Sequence, residues 1–144
     1  MREIQGNIWD YHGKGYWTVI TTNGVVRKDG ACVMGRGVAK QAAVRFPFFP
    51  YAVGKRIKEA GNYVHMFPSF KLISFPVKHN WWEKADIALI EKSCKNLADR
   101  ADIYVTLSEV YMVRPGCGNG QLDWKDVKPI LEKYLNDRFV VVQV

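Results

Sequence analysis

The sequence predicts an α/β fold, a three-layer sandwich with helices on both faces of a central mixed sheet. Two observations lead there. Runs rich in β-branched and aromatic residues alternate along the chain with stretches whose apolar residues recur at helical spacing. The final run, Phe139-Val140-Val141-Val142, is apolar without alternation, the pattern of a strand covered on both sides. The size agrees: 144 residues bury one core and are too few for two. No repeat, Ser-rich linker or block of like charge marks an internal boundary, so 1–144 reads as a single domain.

Taken in order, Tyr16 to Thr22 reads as a buried strand closed by the turn pair Asn23-Gly24. After Gly35 and Gly37, the residues Val38, Ala39, Ala42, Ala43 and Phe46 share one helical face, and Pro47 stops that helix. A second helix opens at Pro50 and closes at Gly61, with proline early and glycine late. Tyr63 to Phe67 and Lys71 to Pro76 are expected to pair as a hairpin around Pro68-Ser69. From Glu83 to about Ala101, apolar positions such as Ile87, Ile90, Cys94 and Leu97 keep helical spacing. Ile103 to Leu107 and Val110 to Val113 read as one interrupted strand or as two, because Ser108-Glu109 is a weak turn signal. Val127, Ile130, Leu131, Tyr134 and Leu135 then stripe a last helix, and the strand from Phe139 lies inside the sheet.

Hydrophobic residues make up 48% and charged residues 24%, which excludes a disordered or low-complexity chain. No apolar run approaches the roughly 20 residues a bilayer requires, and the first residues lack a signal-peptide core, so a cytoplasmic protein without a membrane partner is expected. Lys and Arg number 21 against 14 Asp and Glu, a formal +7 that attracts nucleotides, nucleic acids and phosphates, although many of the lysines simply solvate helix faces. Cys32, Cys94 and Cys117 are widely spaced and form no Cys-x-x-Cys pair, so neither a disulfide framework nor a metal site is expected.

In open α/β sheets ligands sit beyond the carboxyl ends of the strands, which directs attention to the loops after Thr22, Pro76 and Val113. The first runs through Met34-Gly35-Arg36-Gly37-Val38-Ala39 into a helix. Glycines there let backbone N–H groups approach an anion, and the helix start adds partial positive charge. The third, Pro115-Gly116-Cys117-Gly118-Asn119-Gly120, carries alternating glycines directly after a strand. The first is neither a Walker loop nor a Gly-x-Gly-x-x-Gly, because position 40 is Lys and no Gly-Lys-Ser/Thr follows, and either loop alone reads as a turn. Two such loops at strand-to-helix junctions of a basic protein point to a ligand with two linked phosphates.

Over nearly its whole length the sequence resembles a macro domain. The resemblance rests on Gly6-Asn7-Ile8, Ile20-Thr21-Thr22-Asn23, Met34 to Ala39, Phe75-Pro76-Val77-Lys78, and Pro115 to Gly120 with Gln121-Leu122-Asp123-Trp124 following. Within the superfamily it is most similar to the branch that holds the terminal ADP-ribose protein glycohydrolase and the macro domain of the DNA ADP-ribosyl glycohydrolase antitoxin. The resemblance implies ADP-ribose binding and removal of ADP-ribose from a modified macromolecule, a DNA base or an acidic protein side chain, without a cofactor. It places the family's adenine-binding acid at Asn7, beside Ile8, where an amide replaces a carboxylate. Asn23 matches the asparagine at the distal ribose. Gly35, Arg36, Gly37 and Val38 match the first phosphate loop, and Gly116, Cys117, Gly118, Asn119 and Gly120 match the second.

Lys78 matches the lysine on which that branch depends for catalysis. With a pKa of about 10.4 an amine is a poor nucleophile at neutral pH unless the site desolvates it or places positive charge nearby. A protonated lysine can instead stabilise the leaving group, and the sequence leaves both roles open. The protein-directed enzyme pairs its lysine with an aspartate in the glycine-rich loop; here Gly120 occupies that place, which brings the loop closer to the antitoxin's pattern. Asp123 is expected to cap the last helix, unless Asp126 does so, which would suit Pro129 better. His79, Trp81 and Trp82 offer stacking surfaces for an unpaired base, with Arg45, Lys55 and Arg56 to attract phosphates, so single-stranded or modified DNA is a candidate partner. The alternative for the tryptophans is hydrophobic cover for the loop. His12 and His65 read as structural or solvated. Two rival functions remain: an ADP-ribose 1''-phosphate phosphatase, and a non-catalytic reader, which gains from Asn7 and from the missing loop aspartate.

Overall fold

A computed structural model describes residues 1–104 and 109–144. Its six strands are β1 (Arg2–Gln5), β2 (Trp17–Thr22), β3 (His65–Phe67), β4 (Leu72–Pro76), β5 (Val110–Met112) and β6 (Phe139–Gln143). They form one sheet in the order β1-β6-β5-β2-β4-β3. All neighbours are parallel except β3 and β4, the expected hairpin. Its connection makes two successive turns, Phe70 N to Phe67 O and Lys71 N to Pro68 O, and Lys71 takes a left-handed φ of 56°. As expected, β6 is interior, flanked by β1 and β5.

The helices are α1 (Ile8–Gly13), α2 (Gly37–Arg45), α3 (Phe49–Ala60), α4 (Ile87–Tyr104) and α5 (Trp124–Tyr134). Alternate residues of each central strand enter opposite cores. Val19, Ile73, Met112 and Val141 pack with Ile90, Leu97, Val127 and Leu131 of α4 and α5. Ile20, Leu72, Tyr111 and Val140 pack with Ile8, Val38, Phe49 and Val53 of α1, α2 and α3. Both faces of the sheet are therefore dry, which is why the strands read as apolar without alternation. The chain is the predicted three-layer sandwich.

Three expectations change. The edge strand β1 and the short helix α1 have no counterpart in the sequence reading, because β1 exposes all but Ile4 and α1 is too short to display a period. Ile103 and Tyr104 belong to α4, where the Ile103 side chain is 75% exposed, so a β-branched residue on a helix imitated a strand; the rest of that expected strand, 105–107, lies outside the described residues. Finally, α4 begins at Ile87 instead of Glu83, since Asp86 Oδ1 accepts from Ala88 N at 2.9 Å and starts the helix there. The last helix has Asp123 at its N-cap position, without a side-chain bond, and contains Pro129. Among the described residues no helix is long and apolar enough to cross a membrane.

Candidate active site

The five parallel strands point their carboxyl ends at one cavity of about 950 Å³. Its wall takes residues from just beyond each: Asn7 after β1, Asn23 after β2, Lys78 after β4, Arg114 after β5 and Val144 after β6. Every residue that the resemblance assigns to ligand binding or catalysis, from Asn7 to Gly120, lies on this wall. The loops meet: a Cβ on Gly37 would stand 3.3 Å from Asn119 Nδ2.

The first loop leads into α2 through Gly37, whose φ of 57° favours glycine. Arg36, at the N-cap position, makes no side-chain capping bond, so the helix start has no side-chain oxygen over its amides. Gly35 and Gly118 have open space where a side chain would project, which leaves backbone accessible on both sides of the junction. Gly120 is different. A Cβ there would sit 2.4 Å from Gly116 O, so the loop folds back on itself too tightly for any side chain. The carboxylate that the resemblance led one to seek at this position has no room.

Asn23 closes the base of the loop from 23 to 33: its Nδ2 donates to Val33 O and its Oδ1 accepts from Val25 N, both at 2.9 Å. That loop is fastened to α3 by Cys32 N donating to Pro50 O at 2.9 Å. Asn7 caps α1, its Oδ1 accepting from Trp9 N at 3.0 Å. Ile8 and Val38, both buried, give the cavity an apolar wall.

Lys78 is half-buried, and its Nζ donates to Trp81 O at 3.3 Å and Asn119 O at 3.4 Å. Carbonyls, not a carboxylate, hold its ammonium. Partial burial, and then the Arg36 guanidinium, push its pKa below the ordinary range. Cys117, on the same wall, has its thiol pushed up by burial, which disfavours the thiolate, and it donates to Pro115 O. Cys32 and Cys94 are buried and raised to about 11 and about 12.

Trp81 lies on the cavity wall with half its surface exposed, and Trp82 stands edge-on to it with ring centroids 5.5 Å apart. His79, which is not on the cavity wall, bonds to Asp86 Oδ2 at 2.9 Å. Arg45 is on the wall and lies over the Trp9 ring at 4.6 Å, whereas Lys55 and Arg56 are not part of the cavity. His12 and His65 bond to Phe70 O and Gly61 O, the structural one of the two roles expected of them. The reading of the sequence missed Trp9 and Gln41, which line the cavity and join through Trp9 Nε1 to Gln41 Oε1 at 2.8 Å. Neither carried a motif. No group of His, Cys, Asp and Glu able to hold a metal occurs among the described residues.

In sequence comparison no family model and no curated protein matches the chain. Solved structures do. The macrodomain of Thermus aquaticus DarG superposes with a TM-score of 0.78 at 25% identity, covering 99% of this chain and 97% of that one. The macrodomain of Mycobacterium tuberculosis DarG gives 0.76 at 24% identity, with 99% and 97% covered. Thermosipho africanus DarTG, solved in complex with ADP-ribose, gives 0.78 at 19% identity over 99% of this chain but only 41% of its own length. With its mixed six-stranded sheet, its two layers of helices and these neighbours, the chain has the macrodomain fold.

Proposed function

We propose that the cavity binds ADP-ribose and that the protein hydrolyses an ADP-ribosyl linkage on a macromolecule, with Lys78 as the principal catalytic group and Asn23 assisting. The observation that carries this is the position of Lys78 Nζ, 3.4 Å from Asn119 O at the point where the two glycine loops meet. A pyrophosphate held by the backbone amides of both loops would have its distal ribose beside that amine. The Thermosipho protein of the same fold holds ADP-ribose, which supports the choice of ligand. Adenine would lie toward Asn7 and Ile8; the Asn7 oxygen spends one lone pair on Trp9 N and keeps the other for an amino group.

The reaction adds water across the anomeric bond, giving ADP-ribose and the free acceptor. Two carbonyls favour the charged form of Lys78, so its role is that of an acid that delivers a proton to the leaving atom, with Asn23 holding the ribose.

A nucleic acid is the macromolecule that the charge distribution favours. Residues 27–60 contain eight Lys and Arg against one Asp and one Glu, and the rest of the chain holds 13 basic against 12 acidic residues, so nearly all of the net charge resides on α2, α3 and the loop before them. The ion pairs follow the same division: Arg27–Asp29 is the one found in that segment among the described residues. Exposed Phe48, Tyr51 and, at the cavity, Trp81 add surfaces on which bases stack.

The test offers the purified protein ADP-ribosylated single-stranded DNA, glutamate-linked ADP-ribosylated protein and ADP-ribose 1''-phosphate. Release of ADP-ribose from the DNA is expected. Binding of ADP-ribose with no release from any of the three would establish a reader instead, and phosphate release alone would establish the phosphatase.

A further inference from the structure

Behind the cavity wall, outside the lining, Asn62 reaches the backbone of the catalytic lysine: its Nδ2 donates to Lys78 O at 3.2 Å. The loops after β2 and β4 continue their parallel pairing past the strand ends, with Val77 N on Thr22 O at 2.9 Å and Gly24 N on His79 O at 3.0 Å. The antiparallel neighbour β3 stops at His65, which pairs with Ser74, so the outward-facing carbonyl of Lys78 has no strand to bond to. Asn62 supplies the donor that the ladder lacks.

The strut is rigid at its own base. Gly61 ends α3 with a left-handed φ of 92° and its N–H on Ile57 O, the fully buried His65 bonds Gly61 O at 2.9 Å, and Val64 N donates to Asn96 Oδ1 at 3.0 Å. Gly24 is kept free of a side chain by the same group, since a Cβ there would stand 2.9 Å from Asn62 Nδ2. The arrangement carries a defect. Asn62 Oδ1 is shut off from solvent without a hydrogen-bond partner, an expense that an apolar side chain would avoid. An amide at this position is therefore best explained by what its N–H does.

We propose that Asn62 is a positioning residue, fixing the Lys78–His79 peptide so that the Lys78 amine stands between Trp81 O and Asn119 O at the junction of the glycine loops. The proposal rests on the hydrolase reading of Lys78. In Asn62→Leu the orphaned Oδ1 disappears while Lys78 O loses its donor, so one unpaired acceptor replaces another and the melting temperature is expected to stay near that of wild type; in the isosteric Asn62→Asp two acceptors face each other. Both variants are expected to bind ADP-ribose within about twofold of wild type while turnover falls roughly tenfold or more, because a small misplacement of a reacting group is enough for that. A role in stability alone would make turnover follow the melting temperature.

An NMR titration of the Lys78 side chain in wild type and Asn62→Leu gives a readout that needs no substrate: once displaced from the carbonyl pair and Arg36, the amine titrates closer to an ordinary lysine. Wild-type turnover in both variants, a loss matched by equal losses of ADP-ribose affinity and thermal stability, or an unaltered Lys78 titration in Asn62→Leu would each overturn the proposal. If wild type releases nothing from any substrate, the hydrolase reading fails, and the titration still decides whether Asn62 positions the lysine.

Discussion

Lys78 combines two opposing influences. Desolvation and the Arg36 charge lower its pKa, while hydrogen bonds from its Nζ to Trp81 O and Asn119 O favour the ammonium. As an acid it works only while protonated, so turnover should be level at neutral pH and fall as pH rises through a pKa that lies below the ordinary 10.5. A nucleophilic amine would give the reverse limb, rising with pH over the same range. The pH dependence of kcat, measured from pH 6 upward to the limit of folding (an interval of roughly four units around the relevant titration), separates the two. For stability the sign is also fixed: a lysine depressed on folding costs free energy while both states are charged, and that cost disappears as pH rises through the folded and then the unfolded pKa. Lys78 was legible only as part of Phe75-Pro76-Val77-Lys78; as a lone lysine at a strand end it is indistinguishable from a solvated one. Asn62 was not legible at all, because its bond is to a backbone atom 16 residues away.

At the level of elements, the glycine-rich loop after β5 is set by contacts that exclude side chains. Gly116 has a left-handed φ of 75°, and a Cβ on it would stand 2.7 Å from Ile90 Cδ1. Gly120 lies against the Gly116 carbonyl. Gly120→Ala is therefore expected to force the loop open, weakening ADP-ribose binding by about tenfold and destabilising the protein by roughly 1–3 kcal/mol, the usual range for overpacking. Calorimetric titration and a melting curve check this; wild-type affinity in that variant would mean that the loop does not hold the ligand. The long buried elements were readable because Val19, Ile73 and Val141 serve one core while Ile20, Leu72 and Val140 serve the other. What escaped was local. A four-residue edge strand with one inward side chain and a six-residue helix leave no periodic signal, so Trp9 and its partner Gln41 could not be placed at the cavity. Ile103 misled for the opposite reason, a β-branched side chain on the open side of a helix.

Across the whole molecule, charge is segregated: α2, α3 and the preceding loop are basic and almost without ion pairs, while the remainder is balanced and laced with pairs such as Lys128–Glu3 and Arg2–Glu109. Composition disclosed the excess; the residue order concentrates it between 27 and 60, and the packing of α2 and α3 on one face of the sheet gathers it to one side. If the basic side receives a nucleic acid strand, KM for an ADP-ribosylated single strand should rise steeply with salt, with a logarithmic slope near 0.7 for each phosphate contacted. Lys40→Glu with Lys55→Glu should reduce that slope by about 1–2 and leave binding of free ADP-ribose unchanged. A KM independent of salt would contradict the assignment of a polyanionic partner.

At the centre of the proposed reaction is a single amine delivered to the anomeric carbon of a ligand that backbone amides hold. Turnover and ADP-ribose affinity measured on the same preparation of Lys78→Ala test this most directly. The expected result is a fall in release of about 100-fold to 10,000-fold, the range of general acid catalysis, with ADP-ribose affinity within a few-fold of wild type. Release by Lys78→Ala at the wild-type rate would contradict it.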